Sequence, residues 1–283
     1  MATVVLPNFL VMGAAKCGTT SLANHLRSHP DVFVPEKKEL NFFDVHWHNG
    51  LSWYEEWFAA ATGERAIGEA SPAYMFIDGA AERAAQTVPD ARIIVMLREP
   101  VARVHSHYWH RVREDVEHRS FDEMIDQELR GEGESWGYVG RSRYLPQLRR
   151  LDKLFGADSV QVHLLDDLAG NPAGVVEACY RHLDVDPTFR PLDLGTPYNL
   201  HYEIVRPRLY GALIRLRAGR WLGRRLGRLV FSYLSERTDY ADLSPSSAAR
   251  LRRHFDPDLD ELSERVGRDL RSTWYQDPAR WTA

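Results

Sequence analysis

Cysteine is scarce in this 283-residue chain, which has only Cys17 and Cys179. Two cysteines cannot build a disulfide framework, and no Cys-x-x-Cys pair is present to hold a metal. Cys17 lies inside a glycine-rich turn, which suits a reducing compartment better than an oxidising one. No apolar run reaches the length of about 18 residues that a spanning helix needs. The N-terminus lacks a basic segment followed by a long apolar run, which argues against a signal peptide. A cytoplasmic location is the resulting expectation. A strong positive balance is missing too: the formal net charge is -4. That excludes a general nucleic-acid binder, whose footprint is strongly basic. No internal repeat, low-complexity tract or Pro/Gly/Ser-rich linker divides the chain. One domain over residues 1–283 is therefore expected, long enough for a sizeable core.

What is present alternates in type. Asn8 to Gly13 reads as a buried strand, short, apolar and stopped by glycine. The following TTSLANHLRSHP reads as a helix with Leu22 and Leu26 on one face and Pro30 as its stop. Ala91 to Pro100 and Asp158 to Leu168 read as two more buried strands, with shorter ones around Val32 to Val34 and Ala66 to Gly68. Helices are expected at Val101 to Arg113, Phe121 to Arg130, Tyr144 to Leu154 and Ala173 to Leu183. Such alternation predicts an α/β fold with a mostly parallel sheet flanked by helices. Ligands of such sheets sit beyond the strand C-termini. The C-terminal third reads as helical. There Ser244 and Pro245 make an N-cap and first-turn pair, and Leu259, Leu262, Val266 and Leu270 form one stripe.

The stretch GAAKCGTTSL, Gly13 to Leu22, sits between the first strand and its helix. A Walker A loop reads GxxxxGK[ST]. Here Lys16 comes before the second glycine, and Thr19 and Thr20 follow it. Free backbone N–H groups and the helix dipole favour an anion at such a turn. The threonine hydroxyls add donors, and Lys16 adds a mobile positive charge. Partners for magnesium are missing. Arg98 stands at the mouth of a second buried strand, where a guanidinium can grip a phosphate in bidentate fashion. Ser106 follows eight residues on, about two helical turns later, in reach of the same pocket.

These two motifs resemble those of sulfotransferases that use 3′-phosphoadenosine-5′-phosphosulfate (PAPS). GAAKCGTTSL is similar to the turn that holds the 5′-phosphosulfate, with Ala15, Lys16, Cys17, Gly18, Thr19, Thr20 and Ser21 as the matching residues. IIVMLREPVARVHSHY is similar to the family's second signature, in which Arg98 and Ser106 would grip the 3′-phosphate. Likeness continues through KKELNFFD, EASPAYMF and RSRYLPQLRRL to Trp274, and is weakest from Arg190 to Tyr240. The nearest relatives look like the carbohydrate-modifying and bacterial enzymes. The resemblance implies a P-loop-like three-layer fold. It also implies sulfuryl transfer from PAPS to an acceptor oxygen or nitrogen, more readily a hydroxyl, with release of adenosine 3′,5′-bisphosphate (PAP). No metal is expected to be required, because the phosphosulfate carries less charge than a triphosphate.

By the same resemblance Glu39 is the base that takes the acceptor's proton, and Lys16 is the catalytic cation. Some relatives have histidine where this chain has Asn41, an amide that can orient but not accept a proton. Many have lysine where this chain has Ala70, which weakens the case for a heparan-like acceptor. Arg141 and Arg143 are further candidates to hold the nucleotide, and Tyr144 is read either as a ligand contact or as core. Acceptor-side candidates are Asn41, Phe43, His46, Glu69 and Tyr74. Glu69 has two readings, a cleft contact or an arginine partner. His46 and His48 lie two apart with no third ligand at useful spacing, so they are not a zinc site. Either one is an alternative base.

A segment at about 205–235 is rich in arginine. Arg217, Arg220, Arg224 and Arg228 share a side opposite Leu222, Leu226 and Val230. It reads as a solvated helix face or as a contact with an anionic membrane or a lipid-linked acceptor. Two other functions compete with sulfuryl transfer: a P-loop kinase using ATP, and a non-catalytic nucleotide- or anionic-lipid-binding protein. Sugar, lipid headgroup and small natural product all stand as acceptors.

Overall fold

The computed structural model describes residues 5–132, 136–194, 202–204, 235–237 and 243–275. Five parallel strands form its central sheet in the order β2-β3-β1-β4-β5. They are β1 Phe9–Gly13, β2 Val32–Phe33, β3 Ala66–Ala70, β4 Arg92–Leu97 and β5 Val160–Leu164. Every residue of β1 and β3 is buried, as is expected of strands covered on both faces. In register, Leu10 of β1 faces Glu69 of β3, and Val11 faces Ile94 of β4. That β1–β4 register shifts between Val11 and Gly13, where the chain leaves the sheet for the glycine turn.

Helices supply the outer layers. α1 is Thr19–Arg27, α2 Leu51–Glu55, α3 Ala80–Thr87, α4 Pro100–Arg113 and α5 Phe121–Arg130. α6 is Tyr144–Phe155, α7 Leu165–Gly170 and α8 Pro172–His182. The four helices expected between the strands are present, α5 with the expected bounds and the others within one or two residues. A capping box explains the clean start of α5: Ser120 accepts from the Glu123 N–H while the Glu123 carboxylate takes the Ser120 N–H. Alternation of strand and helix therefore did carry the fold. The sequence pattern did not show the short helices α2, α3 and α7: Leu165 to Leu168, expected to continue the last strand, open α7 instead, with Asp166 and Asp167 in the helix's first turn where its dipole favours them.

The C-terminal part departs from the helical expectation. Tyr202–Ile204 (β6) pairs antiparallel with Ser235–Arg237 (β7). Most of the arginine-rich segment, including Arg217, Arg220, Arg224 and Arg228, lies outside the described residues. Beyond it, α9 (Pro245–Val266) starts as expected, with the Ser244 hydroxyl accepting from the Ser247 N–H and proline in the first turn. Its stripe does not run on unbroken to Leu270. Gly267 ends the helix in the left-handed conformation at φ 70°, and Leu270 opens a separate helix, α10 (Leu270–Tyr275). Leu259, Leu262, Leu270 and Trp274 still share the main core. Among the described residues, no helix is long and apolar enough to cross a membrane.

Candidate active site

β1 and β4 lie side by side in parallel, so the Gly13–Thr20 turn and Arg98 both follow strand ends at the C-terminal end of the sheet. Gly13 is needed there because a Cβ would meet Met75 Cβ at 2.7 Å. Lys16 and Gly18 both have left-handed backbone, with φ 72° and 84°. Such alternation curls successive N–H groups inward into an anion-binding nest. Gly18 is also the residue at the N-cap of α1, and no side chain caps that end. A helix leaves its first N–H groups without intrahelical partners, so this end is set up for a ligand anion.

In front of the turn lies a cleft of about 810 Å³. Ala15, Lys16, Gly18, Thr19 and Thr20 line it, as do Glu39 and Asn41 of the next loop and Arg141. These are the sequence candidates that the structure brings together. Lys16 is largely buried, and burial lowers its pKa to about 8, helped by the positive charges of Arg113, Arg98 and Lys38. Arg98 itself does not border the cleft; it follows the end of β4 and adds to the positive charge around Lys16. Ser106 is a buried residue of α4 and does not border the cleft. Ser21 is half-buried and also stays outside the lining.

Several candidates have other roles. Tyr144 is buried beneath the turn, where its hydroxyl donates to the Arg98 carbonyl at 2.9 Å and sits 3.8 Å from Cys17 Sγ. Cys17 is itself buried, so both shape the turn from behind rather than facing the cleft. Arg143 pairs with Asp258 of α9 at 3.3 Å and lies away from the lining. Phe43 is core, with its ring 5.2 Å from those of Tyr54 and Tyr74. Glu69 is neither a cleft residue nor an arginine partner. Its buried carboxylate accepts from Tyr54 at 2.9 Å, Tyr74 at 2.8 Å and Ser71 at 2.6 Å. Burial pushes its pKa up, and those three hydrogen bonds pull it back. Tyr74 belongs to the same buried cluster, so it is no acceptor contact. His46 is half-buried, packs its ring 5.0 Å from Trp53, and does not border the cleft.

The cleft contains functional groups that the sequence reading passed over. Lys38 donates to Thr20 Oγ1 and pairs with Glu39 at 3.1 Å, linking the glutamate loop to the phosphate turn. His107, His110, Arg111 and Arg113 of α4 line the cleft as well, the positive charge coming from the two arginines. Their signal was present, since His107, His110 and Arg111 have the i, i+3, i+4 spacing of one helix face. Burial and the Lys16 charge hold His110 below its ordinary pKa. Burial, then Arg103, Arg141 and Arg111, hold His107 well below its own. Asp44 is the one acid besides Glu39 in the lining, and burial raises its pKa. Val45, Pro72, Ala73 and Ile77 give the lining an apolar part. Behind the turn, fully buried Arg103 donates to the Ala15 carbonyl at 3.4 Å, the Tyr138 carbonyl and Ser142.

Comparison with known proteins agrees with this arrangement. The family profile described as "Sulfotransferase domain" matches residues 6–194, the whole sheet and the cleft. The chain belongs to the sulfotransferase family. Over its length the fold is similar to the crystal structure of a sulfotransferase from Alicyclobacillus acidocaldarius, with a TM-score of 0.73 and 31% identity across 96% of this chain and 100% of that one. Heparan sulfate glucosamine 3-O-sulfotransferase 5 of Homo sapiens is 24% identical over 272 residues, 94% of this chain and 73% of that protein. Membrane-associated sulfotransferase kil1 of Dictyostelium discoideum is 40% identical over 106 residues, 36% of this chain but only 22% of that protein. The reaction class is therefore sulfuryl transfer on a P-loop-like α/β fold. The kinase and the non-catalytic readings are set aside.

Proposed function

We propose that this sulfotransferase takes its sulfuryl group from PAPS and passes it to a carbohydrate hydroxyl, releasing PAP. One observation carries the reading: Lys16, the uncapped start of α1 and Glu39 share a single cleft. The residues fit the donor. The nest of N–H groups, Thr19, Thr20 and Lys16 suit the phosphosulfate, and Arg98, just past the end of β4, suits the 3′-phosphate. PAPS would supply an activated sulfuryl group. Glu39 takes the proton from the acceptor hydroxyl as its oxygen bonds to sulfur. As the bond from sulfur to the bridging oxygen breaks, Lys16 and the turn N–H groups stabilise the charge left there. Donors fixed in advance where charge develops are commonly the largest catalytic contribution.

The acceptor side has an apolar part and a basic one. Arg111, Arg113 and Arg141 offer positive charge beyond what the turn contributes, which suits a sugar bearing its own acidic group. Ala70 in place of a lysine does not leave the cleft short of cations. The names of two relatives point the same way, one a heparan sulfate 3-O-sulfotransferase and another a bifunctional heparan sulfate N-deacetylase/N-sulfotransferase. The test is transfer of label from radiosulfate-PAPS to heparan-type oligosaccharides. Wild type should label the sugar, and Glu39→Gln should label it about 10² to 10⁴ times more slowly while still binding PAP. Equal rates in the two proteins would remove Glu39 from the chemistry. Failure to label any hydroxyl-bearing sugar would overturn the acceptor class.

A further inference from the structure

Glu39 and Asn41 both have left-handed backbone, at φ 58° and 51°. Two such non-glycine residues so close together are uncommon, and something must hold them. The loop's backbone N–H groups show what does. The Glu39 N–H donates to the Ala70 carbonyl at 3.1 Å, at the end of β3. The Asn41 N–H donates to Ser71 Oγ at 3.1 Å, and the Phe42 N–H to the Tyr74 hydroxyl at 2.7 Å. Each of those hydroxyls in turn donates a hydrogen bond to Glu69. A hydroxyl has one proton, so an acceptor behind it decides which way it points. With the carboxylate behind them, Ser71 and Tyr74 turn lone pairs to the loop.

We propose that Glu69 is a positioning residue, which through Ser71 and Tyr74 fixes the backbone of the loop carrying Lys38 and Glu39 over the phosphate turn. The inference rests on the reading of Glu39 as the base. Glutamine at position 69 would keep the shape but replace one acceptor oxygen by a donor NH₂. At least one hydroxyl would then lose its target and free its proton to turn toward a loop N–H. The base and Lys38 would no longer be held in one place, and a shift of about 1 Å from such a change can slow catalysis about 10²-fold.

The decisive experiment follows hydrogen exchange at the Asn41 and Phe42 amides, which needs no acceptor sugar, alongside turnover and PAP affinity. Glu69→Gln should speed exchange at Asn41 or at Phe42, according to which hydroxyl loses its acceptor oxygen, although Glu69 touches neither amide. Ser71→Ala should speed it only at Asn41, and Tyr74→Phe chiefly at Phe42. These two variants carry the test should Glu69→Gln fail to fold. Each should lower turnover with heparan-type oligosaccharides on the order of tenfold or more, with PAP affinity kept within about twofold. In a Glu39→Gln background the same changes should add no further loss, because they act through Glu39. Unaltered exchange at both amides would overturn the proposal, as would losses that persist undiminished in the Glu39→Gln background. Failure of the wild type to bind PAP would strike the donor reading alone, and the exchange pattern would still judge the positioning.

Discussion

Two loops meet across the cleft, and they are built in opposite ways. The phosphate turn leaves its donors open: α1 starts at Gly18 without a side-chain cap, and Lys16 sits largely buried among other cations. The Glu39 loop is tied down. Three of its N–H groups and the hydroxyls behind them end on the close of β3 and on buried Glu69. The first loop stores unsatisfied positive potential that a ligand anion can relieve. The second gives up that potential for a fixed place. Binding and positioning thus fall to different segments, and substitutions should separate them.

Next to the loss expected at Glu39, the largest effect comes from the open loop. Lys16→Ala should slow sulfuryl transfer by about 10² to 10³, the usual loss when one preorganised donor is removed. Its thermal midpoint should not fall. With its folded pKa pulled from 10.5 to about 8, Lys16 binds its proton less well folded than unfolded. The buried charge therefore opposes folding at neutral pH, and its effect on stability relaxes as pH rises from about 8 toward 10.5. A drop in midpoint comparable to that of a core deletion would break the contrast between the two loops.

A smaller effect should appear with pH. A bound phosphate favours the charged lysine, so PAP binding near pH 8 should take up a proton. Affinity should then weaken as pH rises above about 8, by at most about tenfold per unit. Lys16→Arg, charged throughout this range, should flatten that slope. Calorimetry in buffers of different ionisation enthalpy would detect the proton directly. Smallest of all should be Arg143→Ala. Arg143 is about half exposed in its pair with Asp258, so a stability change within about 1 kcal/mol and an unchanged PAP affinity are expected. A clear loss of PAP affinity would put Arg143 back at the nucleotide.

This contrast also explains which parts were legible in the sequence. The open loop announces itself, because its glycines, lysine and threonines follow one apolar strand and precede one amphipathic helix. β4, α4 and α5 were legible for the same reason, since period and caps are local properties. Glu69 was not. Whether a glutamate in a strand turns inward depends on Tyr54, fifteen positions before it, and on Tyr74, which no local pattern links to it. Tyr144 was ambiguous because an aromatic at a helix start looks the same whether it faces a ligand or a Cys17 thiol. The α4 basic face carries a periodic signal, but i, i+3, i+4 spacing alone does not say whether a face borders a cleft or open solvent. The stripe from Leu259 to Leu270 was right about burial but blind to Gly267, whose left-handed conformation ends the helix.

The most direct test is calorimetric titration with PAP and, separately, with ADP and adenosine 5′-phosphosulfate. The last of these lacks only the 3′-phosphate of PAPS. The account predicts tight PAP binding, much weaker binding of the two ligands without a 3′-phosphate, and a strong loss for PAP in Arg98→Ala. Equal or tighter binding of ADP, unaffected by Arg98→Ala, would contradict it.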